Sequence, residues 1–102
     1  MLLKSINEAA SSYDAIVIGG GLGGMTAAKR LVDAGRPVLL VEAYRMLGGY
    51  ATYFKRKKHI FDVALHAFPY GVAKTFRKYW SKELGARVVP LPRIRYENPE
   101  FS

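Results

Sequence analysis

Two short stretches of the chain are apolar without interruption, Ala15-Ile16-Val17-Ile18 and Val38-Leu39-Leu40-Val41. Neither alternates with polar residues, the pattern of a parallel strand buried on both faces. Between them Met25, Ala28, Leu31 and Val32 recur at helical spacing, with Lys29, Arg30 and Asp33 on the opposite side. That predicts a helix with one buried stripe, stopped by Gly35. Pro37 has no amide hydrogen to give a ladder, so it can stand only at the first residue of the second strand.

Beyond residue 42 the period changes. Thr52, Phe54, then Phe61, Val63 and Leu65 alternate around Arg56-Lys57-Lys58-His59, which predicts a β-hairpin at about residues 50–65. The turn has no Gly or Asn, which favours a longer loop. Val72, Phe76, Tyr79, Trp80 and Leu84 then form one stripe of a helix over residues 72–84, with Lys74, Arg77, Lys78 and Lys82 outside and Gly85 at its end. Ala86 to Tyr96, with Pro90 and Pro92, reads as an edge strand or extended connection. At the other end, residues 1–12 read as a short leader helix or a frayed end.

The glycines after the first apolar run give this pattern a chemistry. Gly19, Gly21 and Gly24 form G-x-G-x-x-G between a strand and a helix. Their tasks in a dinucleotide site are the tight turn, the close approach of backbone to pyrophosphate, and the packing of helix on strand. Glu42, at the end of the second strand, is placed to accept hydrogen bonds from a ribose 2′-hydroxyl and would repel a 2′-phosphate. The expected fold class is α/β, a Rossmann-like βαβ unit with a β-hairpin insertion.

Composition narrows the picture. A doubly wound sheet needs more strands than the two convincing ones in 102 residues, so we expect the front part of a longer protein or a truncated product. The net charge of +8 falls wholly in the second part: residues 1–44 carry four basic and four acidic side chains, residues 45–102 twelve and four. Lys55-Arg56-Lys57-Lys58 is the densest point, a patch able to meet phosphate, nucleic acid or an anionic membrane surface. With no cysteine there is no disulfide, thiolate nucleophile or Cys-based metal site, and the chain is compatible with a reducing cytosol. No apolar run is long enough to span a bilayer, so any membrane contact is expected to be peripheral.

After Glu42 comes a second glycine pair, Gly48-Gly49. The run Glu42 to Phe54, followed by Phe61-Asp62-Val63-Ala64-Leu65-His66, resembles the N-terminus of the phytoene desaturase, carotenoid isomerase and retinol saturase group of FAD-dependent oxidoreductases. Where amine-oxidase-type relatives carry arginines around the doublet, this chain has Met46 and Tyr50, which favours the saturase and isomerase branch. The group's F-D-x-G-x-H pattern is matched apart from Ala64 in place of its glycine. The resemblance implies FAD, with NAD(P) as a co-substrate, and redox or isomerisation at conjugated C=C bonds of a polyene or isoprenoid substrate.

On that reading the cofactor-binding residues are Gly19, Gly20, Gly21, Leu22, Gly23, Gly24, Glu42, Ala43, Gly48, Gly49, Tyr50, Ala64 and Leu65. His66, four residues after Asp62, is the one catalytic candidate; on a strand the two would share a face. The organisation implied is a leader at 1–12, then the N-terminal part of an FAD/NAD(P)-binding domain at 13–102. Within it, 13–49 hold the βαβ unit and doublet, 50–66 the hairpin, and 72–102 a helix and strand leading toward a substrate region. Two alternatives stay open: an NAD-binding module with an unrelated hairpin, and a non-catalytic fragment with a basic anion-binding surface. No nucleic-acid partner is expected, and the location is expected to be cytoplasmic, peripheral to a membrane at most.

Overall fold

The computed structural model describes residues 5–64, 67, 68, 70–93, 95, 98 and 100. They fall into two compact units, Met1–Pro69 and Tyr70–Ser102.

The first unit opens with a 3-10 turn at Ile6–Glu8, shorter than a leader helix. Strand β1 (Ala15–Ile18), helix α1 (Leu22–Asp33) and strand β2 (Val38–Val41) follow as the predicted βαβ unit. The strands are parallel and in register, Ala15 against Val38 through Ile18 against Val41. Pro37 stands just before β2, and its carbonyl accepts from the Asp14 amide at 2.9 Å. At the end of α1 the Gly35 amide donates to the Val32 carbonyl and the Arg36 amide to that of Leu31. This pair of bonds is the Schellman closure that a glycine past the last turn allows.

Burial departs from the sequence pattern. Ala15 and Val17 are half-buried on the α1 side, whereas Ile16 is 62% and Ile18 86% exposed. The strand is therefore covered on one face only. A continuous apolar run marks side chains suited to two covered faces, and among the described residues nothing in this unit packs on the second. Met25, Ala28 and Leu31 of the helical stripe are half-buried, but Val32 turns out to be 58% exposed. No apolar side chain among the described residues is fully buried.

A 3-10 turn at Gly49–Ala51 leads into an antiparallel hairpin, β3 (Tyr53–Arg56) and β4 (His59–Asp62). The hairpin is shorter than predicted and its loop tighter. Arg56 pairs with His59, so only Lys57 and Lys58 make the turn, and Lys57 takes a φ of 54°. Putting a lysine in the left-handed region costs on the order of 1–2 kcal/mol, which the ladder and its side chains offset. Phe54 and Phe61 stack across the strands with centroids 5.4 Å apart, and the Arg56 guanidinium lies 5.6 Å above the Phe54 ring.

In the second unit the single helix expected over 72–84 is two: α2 (Val72–Tyr79) and α3 (Lys82–Ala86). Trp80 leaves helical geometry (φ −121°, ψ −87°), and the Ser81 hydroxyl accepts from the Leu84 amide at 3.0 Å, capping α3. Gly85 lies inside α3 rather than past its end and is buried. A Cβ there would run into the Arg77 side chain and come within 2.9 Å of the Ala73 carbonyl, so its absence is what lets α3 lie against α2. Residues 87–93 form no strand, leaving the extended connection of the two readings.

Candidate dinucleotide-binding site

The turn between β1 and α1 is built from backbone. Gly19 takes a φ of +99°, open to glycine and strained for other residues, and its amide donates to the Val41 carbonyl at 2.8 Å. Gly24, in the first turn of α1, sits against that bend: a Cβ would overlap the Gly19 carbonyl oxygen and touch Val17. Gly21 caps the helix and faces open space, with nothing within 4 Å of where a Cβ would stand. The opening turn of α1 directs amides without intrahelical partners toward that space, and the helix dipole favours an anion there.

The second glycine pair closes on the first. The Gly48 amide donates to the Gly20 carbonyl at 2.8 Å, and Gly48 and Gly21 form a parallel bridge. Gly48 has a φ of +119°, and a Cβ would press on Thr52 at 3.1 Å. At Gly49 a Cβ would stand 3.2 Å from the Cα of Gly21. Two segments distant in sequence thus meet backbone to backbone. They leave a cleft of about 520 Å³ lined by Gly21, Leu22, Gly48, Gly49, Tyr50, Ala51 and Ala64. A neighbouring hollow of about 410 Å³ is lined by Tyr44, Gly49, Tyr50, Thr52 and Val63.

Glu42 lines neither hollow; its carboxylate braces the turn at Gly20. Its Oε2 accepts from the Gly20 amide at 2.6 Å and its Oε1 from the Tyr44 amide at 2.8 Å. The Tyr44 and Gly20 amides hold the carboxyl below the usual glutamate range, because both bonds favour the ionised form. Each oxygen keeps a further lone pair, so a hydroxyl can still be received. The same carboxylate also fixes the glycine turn, a role the sequence did not reveal.

Of the residues expected to hold a cofactor, Gly21, Leu22, Gly48, Gly49, Tyr50 and Ala64 come together on the cleft. Gly19, Gly20 and Gly24 shape it through backbone bonds and packing, while Gly23 and Ala43 line neither hollow. Leu65 and His66 lie outside the described residues. Strand β4 ends at Asp62. Thr52 was missed. It is 8% exposed, packs where a Gly48 side chain would be, and accepts from the Val63 amide through its carbonyl at 3.0 Å. Its position directly before an alternating strand, four residues after the doublet begins, was the available signal.

Residues 17–82 match the family described as the NAD(P)-binding Rossmann-like domain, and the chain belongs to it. Among individual proteins, it is 48% identical over 56 residues to prolycopene isomerase 2, chloroplastic, of an Oncidium hybrid cultivar, covering 55% of this chain and 10% of that protein. It is 49% identical over 51 residues to prolycopene isomerase, chloroplastic, of Daucus carota, covering 50% and 8%. Flavin-containing amine oxidase A of Bos taurus is 35% identical over 83 residues, covering 81% and 16%. By sequence the chain is thus similar to the carotenoid isomerase and desaturase group of FAD-dependent oxidoreductases, as its glycine doublet led us to expect. The matched segment spans only about a tenth of the length of the curated relatives. No solved structure matches. Among the described residues, no helix is long and apolar enough to cross a membrane.

Proposed function

We infer that this chain supplies the nucleotide cradle for FAD in an oxidoreductase acting on C=C bonds of a polyene or isoprenoid substrate, by desaturation, saturation or isomerisation. The observation that carries the reading is the bond from Gly48 to Gly20, which joins a second side-chain-free segment to the first along one cleft. The residues fit such a group: Gly21 leaves open space at a helix N-terminus, and a carboxylate stands beside it.

In this reading Gly19 to Gly24 receive the pyrophosphate, Glu42 with Ala43 beside it receives the adenosine ribose, and Gly48, Gly49 and Tyr50 line the bound cofactor. Ala64 and Leu65 complete the cofactor-binding set, and His66 is the catalytic candidate. The flavin supplies the hydride or electron chemistry, while the chain binds it, orients it and shapes its surroundings. NAD(P) enters as a co-substrate, and a cytoplasmic location belongs to the same proposal.

A second reading, a nicotinamide-dinucleotide module, is favoured by the family's own description. Titration of the chain with FAD, followed by quenching of flavin fluorescence, separates the two. Saturable FAD binding that NAD does not displace supports the flavin reading. NAD binding with indifference to FAD transfers the site to the second.

A further inference from the structure

We propose that the β3–β4 hairpin is a docking prong for an anionic phospholipid surface. Four consecutive cations, Lys55, Arg56, Lys57 and Lys58, occupy the end of β3 and a two-residue turn, and all four are exposed. None has an acidic partner among the described residues; the ion pairs there are Lys29 with Asp33 and Arg36 with Asp14. The hairpin's one acid, Asp62, stands at its far end opposite Tyr53.

Charge alone would only keep the hairpin in water. What points to lipid is the apolar side chain beside the cations on each face. Successive strand residues alternate, so Lys55 and Ile60 oppose one another on one face, while Arg56 shares the other with Phe54 and Phe61. Ile60 is 62% and Phe61 46% exposed. Lysine and arginine heads reach headgroup phosphates while such neighbours enter the acyl boundary, the arrangement of an interfacial anchor. A nucleic acid would take the charges and leave Ile60 in water. The tight turn holds the cations together before contact, so little ordering is needed on docking.

The proposal is independent of what fills the glycine cleft. Its test is cosedimentation of the chain with phosphatidylcholine vesicles, with and without added phosphatidylserine. Binding is expected only where phosphatidylserine is present, and to fall steeply as salt rises. The variant K55Q/R56Q/K57Q/K58Q should lose at least about fiftyfold, given roughly fivefold for each cation near such a surface. The variant K74Q/K78Q/K82Q/R87Q, which removes as many positive charges elsewhere, should keep most of the binding. Ile60→Ser should weaken it several-fold at every salt concentration. Equal loss in both quadruple variants, equal binding to neutral vesicles, or retention of an RNA duplex with no vesicle binding would overturn the proposal. If the hairpin variant loses its circular dichroism spectrum, the lipid and salt dependence of the unaltered chain, with Ile60→Ser, decides.

Discussion

The glycine crevice of the first unit and the helix pair of the second both depend on missing side chains, to opposite ends. At Gly85 the vacant space is occupied by its neighbours: Arg77 and the Ala73 carbonyl stand where a Cβ would be. At Gly21 the space stays open, although Gly20 and Gly24 on either side are as crowded as Gly85. A glycine whose vacancy is filled from within serves packing. One that faces a cleft among packed neighbours has been kept clear for something outside the chain. The crevice mixes the two kinds within six residues.

The sharpest test of this difference is Gly24→Val. Its side chain would collide with the Gly19 carbonyl, a backbone atom that cannot swing aside, so α1 must leave the strand. We expect a loss of about 3 kcal/mol or more in urea unfolding, with FAD binding gone as well. An unchanged midpoint would remove the packing role of this glycine. Gly85→Ala should cost less, about 1–3 kcal/mol, because the nearest of its three obstacles is the Arg77 side chain rather than backbone. Restoration of stability by adding Arg77→Ala would localise the clash to that side chain; absence of any rescue would place it at the backbone of Ala73 and Arg77.

Gly21→Val should do the reverse of Gly24→Val. With nothing within 4 Å, stability should stay within about 0.5 kcal/mol, while FAD affinity falls at least about tenfold. If instead the variant unfolds and binds what remains undiminished, the distinction between open and filled glycines fails in this molecule.

This contrast also explains what could be read in advance. Gly19, Gly21, Gly24 and the pair at 48–49 were legible because close backbone approach admits one residue type, and because uninterrupted Val, Ile and Leu runs bracket them. The break at Trp80 was not. The apolar stripe runs on through Leu84 at helical spacing, and only the local competition of the Ser81 hydroxyl for the Leu84 amide divides it. The two-residue turn at Lys57 was hidden for a similar reason: a modest backbone cost is outweighed by the Phe54 and Phe61 stack and by pairing that no residue in the turn announces. Exposure of Ile16 and Ile18 was unreadable because a strand's apolarity states what it can pack against, not what stands beside it.

The smallest expected effect concerns the charged group that braces the glycine turn. Glu42 accepts from the Tyr44 and Gly20 amides, and both bonds hold its carboxyl below the usual range in the folded chain. A carboxyl whose folded-state pKa is depressed contributes stability that is fully present above its unfolded value, roughly 4.3, and is lost as pH falls through the lower folded value. Stability should therefore decline on acidification below about pH 4.3, with Glu42 contributing to the slope. Glu42→Gln keeps an oxygen for one amide but turns an NH₂ toward the other, so the variant should be less stable at neutral pH. It should also show a shallower acid limb, the two chains converging once the carboxylate is protonated. Urea midpoints measured from neutral to acid pH read this directly. Parallel acid limbs would mean that the bonds to Gly20 and Tyr44 add nothing to folding, and that the carboxylate is held ready for a ligand alone.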